Sequence, residues 1–233
     1  MAILHLSGEP NIEINLRRNS RARRLSLRVS QLDGRVTLTL PLSASRLEAT
    51  GFAREKESWI RGQLNRRPNG SIPGIGGTVL FQGREVPIIA GAKRSVQLQD
   101  GQLLVPGDTN KAPARIAAYL KVAARDQLGS ACDTYAAKVG RRVNRLSLRD
   151  TRSRWGSCTV DGNLMFSWRL IMAPAEVLNY VAAHEVAHLI QMNHSPAYWA
   201  VVAEIFPNYK APRQWLRQNG AQLHSYRFSQ LTP

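Results

Sequence analysis

HEVAHLIQMNHSP, His184 to Pro196, brings three of the chain's five histidines into eleven positions. Around it, Val177, Leu178, Tyr180, Val181, Ala182, Ala183, Val186, Ala187, Leu189 and Ile190 make the segment apolar nearly all round, which predicts a buried helix over Ala175 to Met192. On a helix, His184 and His188 lie about 40° apart around the axis and one turn along it, so both rings can reach one ion. Glu185 points about 60° from His188, which leaves its carboxylate beside the ion as a base for metal-bound water. Burying two imidazoles and a carboxylate without partners would cost on the order of several kcal/mol, and a bound dication removes that cost.

A continued helix would carry His194 about 80° off His184 and more than a turn beyond it, so the chain must turn. Asn193 is an acceptable left-handed terminator, Ser195 a good N-cap and Pro196 a suited first helical residue. NHSP therefore reads as a joint that swings His194 back toward the other two rings. Three protein ligands and one open position suit a catalytic zinc, one Zn2+ per chain. Glu204, on the following helix, is the rival third ligand. His5 and His224 are assigned no role.

Working outward, 233 residues with 43% hydrophobic content are enough for a globular protein of one large or two small domains. An export signal and a long apolar run are both missing from the sequence, so a cytoplasmic protein without membrane association is expected. Cys132 and Cys158 have no paired metal-finger spacing and read as reduced thiols. The net charge of +16 calls for anionic partners, among them nucleic acid, nucleotides or acidic protein surfaces. Arginine, the main contributor, suits phosphate or carboxylate recognition.

The N-terminal part reads as β-rich. Ile12 to Leu16 and Leu25 to Val29 alternate, and Asp33-Gly34 leads into a strand over Val36 to Leu40. A helix capped by Ser45 is predicted to Leu64, ahead of the loop RRPNGSIPGIGG, residues 66–77. Strands follow around Thr78 to Phe81, Glu85 to Ile89, Ser95 to Leu98 and Leu103 to Val105. PGDTNKAP, Pro106 to Pro113, is the best boundary, giving a β-rich region over 1–108 and a metal-binding region over 109–233, with no internal repeat. The second region is expected to hold a long helix over Pro113 to Val139 and strands over Arg142 to Leu148 and Asn163 to Trp168. Asp161-Gly162 favours a tight turn between those strands, and further helices are expected over Ala197 to Phe206 and Ala211 to Gln218. The fold class is α+β.

Four segments carry a resemblance to a known family: RWGSC (Arg154 to Cys158), NLMFSWRLIMAP (Asn163 to Pro174), HEVAHLIQMNHSPAYW (His184 to Trp199) and FPNYKAPRQWL (Phe206 to Leu216). With RRLSLRV and EKESWI in the N-terminal half, the chain resembles the YgjP-like family of predicted zinc-dependent hydrolases, related to SprT-like and WLM-like zincins. The resemblance implies a zincin-like helical domain with a small sheet, His184, His188 and His194 as ligands, and Glu185 as general base. A metzincin pattern fits worse, because Gln191 stands where glycine is wanted and no methionine follows Met192.

Three functional readings follow. A metallopeptidase would use Glu185 to activate zinc-bound water, with Asn163 to Trp168 as the strand that pairs with an extended peptide and Arg154, Trp155 and Asn163 near substrate. Trp155 is equally a core anchor, and Arg154 equally a sheet-edge ion-pair partner. If Arg141, Arg142, Arg145, Arg149, Arg152 and Arg154 converge on the cleft, the substrate is instead a nucleoside triphosphate cleaved to release pyrophosphate or phosphate. The run LRRNSRARR, residues 16–24, fits a nucleic-acid-contacting arm, as in a DNA-associated protease, and fits a solvated strand face as well.

Overall fold

The computed structural model describes residues 2–30, 33–65 and 70–228. The chain forms two compact units that divide at 69/70, so the expected boundary at 108/109 falls inside the second. The reason is packing: Val79, Leu80, Val86, Ile88, Leu103 and Val105, all from strands assigned to the N-terminal region, share one core with the helices that follow. The turn-forming residues of 106–113 connect elements of that core instead of separating domains. Of the loop expected over 66–77, residues 66–69 lie outside the described residues.

The first unit is a four-stranded sheet with two helices. Its strands are β1 (Ala2–Leu6), β2 (Ile12–Arg18), β3 (Ser26–Val29) and β4 (Val36–Leu40), in the order β1-β2-β4-β3. Alternation buries Leu4, Leu6, Ile12, Ile14, Val36, Leu38 and Leu40 on one face, where Ala49, Ala53 and Ile60 complete the core. α1 (Arg46–Glu55) opens with a reciprocal capping box between Ser45 and Glu48. The predicted single helix breaks at Lys56, whose bridge-region backbone closes α1 before α2 (Glu57–Asn65) begins. Glu57 then pairs with Arg61, and Arg61 donates to the Pro10 carbonyl at 2.8 Å, which anchors α2 to the β1–β2 turn. With the break, Ile60 faces the core while Leu47 and Trp59 are 83% and 46% exposed.

The second unit begins with a sheet of β5 (Thr78–Phe81), β6 (Arg84–Gly91), β7 (Gln97–Gln99) and β8 (Gln102–Pro106), in the order β5-β6-β8-β7. Outer pairs are antiparallel and the central pair parallel, the same pattern as in the first unit. Sequence inspection shows no repeat, yet the strand order recurs. The long helix α3 (Ala112–Lys138) matches its predicted span to within a residue, and buries Ile116, Leu120, Ala124, Leu128 and Cys132. A second sheet has β10 (Gly156–Cys158), β11 (Asn163–Ser167) and β9 (Arg145–Arg149) in that order, with β10 at its edge. β10 lies in what the sequence reads as loop; the Asp161-Gly162 turn folds it against β11, with Gly162 at φ 75° and its N–H donating to the Thr159 carbonyl. A 3-10 segment, Trp168–Met172, leads into α4 (Ala175–Ala187), then α5 (Pro196–Ile205) and α6 (Lys210–Ser225). Helical and extended segments segregate along the chain as an α+β protein requires. Among the described residues, no helix is long and apolar enough to cross a membrane.

Candidate metal centre

α4 runs through the core with Val181, Ala182, Ala183, Val186 and Ala187 buried, and it carries Glu185 at 5% exposure and His188 at 8%. Regular helix stops after Ala187, earlier than the predicted Met192, because the last turn tightens: Leu189 and Ile190 donate to the carbonyls three residues back. The tightening brings the Gln191 carbonyl to 2.9 Å from His188 Nδ1. With Nδ1–H donating there, Nε2 of His188 keeps its lone pair for another partner.

The joint beyond works differently from the left-handed terminator expected of Asn193. Its side-chain Oδ1 accepts the Ser195 N–H at 3.2 Å, a side-chain turn that needs no positive φ. Ser195 caps α5 by accepting the Tyr198 N–H, and Pro196 occupies the first turn, as predicted. The chain thus reverses, and His194 Nε2 comes to 3.2 Å from His184 Nε2. One ligand nitrogen from each of His184, His188 and His194 lies within 4.8 Å of the others, the one group of metal-binding type among the described residues. Glu204 is exposed on α5 and stands outside it.

Tyr198, fully buried, is the scaffold of this cluster. Its ring stacks on His188 at 4.4 Å between centroids, meets His194 edge-on at 4.8 Å, and its hydroxyl donates to the His184 carbonyl at 2.9 Å. Burial, followed by the charges of His188, His194 and Arg213, drives the His184 imidazole down to about 3, and burial also lowers His188. Neutral rings with inward lone pairs are what a divalent cation needs. His184 Nδ1 is buried and has no hydrogen-bond partner among the described residues, so the ring depends on its Nε2 side for polar interaction. The donor set fits a metal of the zinc type.

Glu185 shares this cleft with Gly156, Ser157, Cys158, Met192 and the three histidines. Burial pushes its carboxyl up to about 8, opposed by the charge of Arg154, and a cation on the imidazoles would act in the same direction as Arg154. β10 forms the wall opposite α4 and approaches it closely: a β-carbon on Gly156 would lie 2.6 Å from Glu185 Cγ. Glycine is required there for space.

A domain described as YgjP-like, metallopeptidase domain, matches residues 23–219. The chain belongs to this family. The YgjP-like protein is accordingly a metal-dependent hydrolase of metallopeptidase type, and its three-histidine cluster suits the divalent ion that the family implies. No curated protein matches. Among solved structures, it is similar to the metallopeptidase zymogen of Pyrococcus abyssi abylysin at 22% identity and a TM-score of 0.34, over 42% of this chain and 92% of that one.

The remaining predicted site residues of the YgjP-like chain separate. Trp155 is an anchor: its indole stacks on His224 at 4.7 Å and covers Gly220. Arg154 is exposed and near enough to act on the charge of Glu185. Asn163 starts β11, with its Oδ1 accepting from Asn144. β11 is paired on both sides, antiparallel to β10 and parallel to β9, so the strand expected to receive a peptide has no free edge. The six arginines considered for a phosphoanhydride do not converge. Arg141 and Arg142 line a groove beside His188, while Arg149 lines another with Lys121, Arg125 and Trp168, and Arg152 acts on Asp150 and His224. Sequence reading did not single out Gly156, Tyr198 or Arg213. Spacing could have flagged Tyr198, which lies four residues past His194 in the next helix's first turn.

Proposed function

We propose that the protein is a zinc-dependent peptidase in which His184, His188 and His194 hold one zinc ion and Glu185 is the general base. The observation that carries this reading is the convergence of three imidazoles in a cleft shared with the buried Glu185 carboxyl group. When bound, zinc supplies Lewis acidity, polarising a scissile carbonyl and acidifying the attacking water. Glu185 takes the proton from that water at a carboxylate oxygen and delivers it to the leaving amine. The outer edge of β10, which lines the same cleft, offers backbone groups to an extended peptide, so the substrate strand is placed by main-chain hydrogen bonds. Tyr198 and the Gln191 carbonyl hold the rings in orientation.

The test is metal analysis of the purified full chain together with a panel of peptides, unfolded protein and nucleoside triphosphates. One zinc per chain and cleavage of amide bonds are expected. Release of phosphate or pyrophosphate with no amide cleavage would replace this reading by the phosphohydrolase one.

A nucleic-acid partner is a second reading, favoured by Arg17, Arg21, Arg23, Arg24 and Arg28. All are exposed in the first unit with no carboxylate partner among the described residues. Binding of single- or double-stranded DNA that weakens steeply with salt is expected, and absence of binding at low salt dismisses it.

A further inference from the structure

The cleft that holds Glu185 and the three histidines does not end at the metal centre. His188 and Met192 also line a second groove, of about 270 Å3, together with Arg141, Arg142, Val160, Asp161, Gly162, Leu189 and Ile190. The groove has two chemically distinct parts. Leu189 and Ile190, half-buried, and Met192 give an apolar floor, while the two exposed guanidiniums stand at its rim. Neither guanidinium is within ion-pair distance of a carboxylate among the described residues, and Asp161 leaves a net positive charge.

The backbone holds these arginines in place. They follow the carboxyl end of α3, where Gly140 takes φ 62°, and Asn144 N–H donates to the Gly162 carbonyl at 3.0 Å, tying the segment to the β10–β11 turn. Val160, Asp161 and Gly162 belong to the turn that follows β10 after Thr159, so the groove lies past the carboxyl end of the edge strand. A peptide extended along β10 passes the metal centre and meets this groove within a few residues, given about 3.3 Å of advance per residue.

We infer that the Arg141–Arg142 groove is a specificity subsite for an acidic side chain, glutamate above all, on one fixed side of the scissile bond. This rests on the peptidase reading above. Glutamate matches both parts: its methylenes lie on Leu189, Ile190 and Met192, and its carboxylate reaches the guanidinium rim. Aspartate has one methylene fewer to lay on the apolar residues, and a lysine at the same position meets like charge.

Cleavage-site profiling of a proteome-derived peptide library with the zinc-loaded full chain tests the proposal. Glutamate enrichment at one position near the cut is expected, and the enrichment should fade as salt screens the exposed rim. In Arg141→Glu/Arg142→Glu, the kcat/KM ratio of a glutamate peptide to its lysine counterpart should fall by at least about tenfold, with lysine becoming preferred. Circular dichroism and metal content of the variant show that the fold and the centre persist. Amide cleavage with no acidic preference, or a ratio unmoved by the reversal, overturns the subsite and leaves the peptidase reading standing. No amide cleavage by the wild type removes both. Nucleoside triphosphate hydrolysis lost in the same variant would assign the two arginines to phosphate instead.

Discussion

Gly156 on β10 and Glu185 on α4 lie so close that any β-carbon at position 156 would sit 2.6 Å from Glu185 Oε1. The carboxylate occupies the space that a side chain would fill. Gly156→Ala should therefore push Glu185 out of place, lowering turnover by more than tenfold and stability by about 1–3 kcal/mol. Zinc content should be retained, since no imidazole is displaced. Turnover, urea unfolding and metal analysis check this; wild-type turnover in the variant would mean that the carboxylate works from elsewhere.

Glu185→Gln keeps the shape of the side chain and removes the base. Turnover should fall by about 10²–10⁴ with zinc stoichiometry unchanged. If the variant loses zinc, Glu185 is a ligand instead.

His194→Ala removes one of three converging nitrogens and should lower zinc content and affinity sharply, whereas Glu204→Ala, on the exposed face of α5, should leave both unchanged. Zinc titration against a competing chelator gives the order, and the opposite order moves the third ligand to Glu204.

Tyr198→Phe preserves the ring that stacks on His188 but leaves the His184 carbonyl without the hydroxyl that donates to it. A stability loss of about 1 kcal/mol is expected. Weaker zinc binding should accompany it, because His184 is less firmly oriented. Unchanged affinity in a chelator competition would show that the hydroxyl serves only the fold.

Acid should destabilise the fold in two stages through His224 and Asp150, which both lie under the charge of Arg169. Burial, then the charge of Arg169, lowers His224 to about 4, so between its unfolded value of 6.5 and about 4 only the unfolded chain takes up the proton. Stability therefore falls as pH drops through that window. For Asp150, burial pushes the carboxyl up, but the hydrogen bonds and charge of Arg169 outweigh it and the net direction is down. Its contribution is present above 3.8 and is lost as pH falls through the folded value. Melting temperature against pH should show both stages. His224→Phe, which keeps the stack on Trp155, should flatten the first, and a variant curve that parallels the wild type would exclude His224 as its source.

The segments with the strongest local signals are the ones that sequence located well. α3 follows its apolar periodicity, α5 its Ser195-Pro196 start, and the turn into β11 its Asp161-Gly162 pair. The pairing of His184 with His188 needed only helical geometry. Errors arise where long-range contacts override local pattern. β10, three residues long and glycine-bearing, has no periodicity to read and exists because β11 is beside it. The boundary near 108 looks like a linker because turn residues cluster there, but the sheet before it packs on α3.

Sequence by itself determined the donor types and their order along α4 and the joint after it, because side-chain chemistry and helical spacing are local properties. Only the tertiary structure brought His194 and not Glu204 beside the other two rings, left β10 and not β11 with a free edge, and set Arg141 and Arg142 along a groove that adjoins the cleft while Arg149 lines another. Each of those outcomes depends on where separate elements meet, and packing of the shared core sets those meetings.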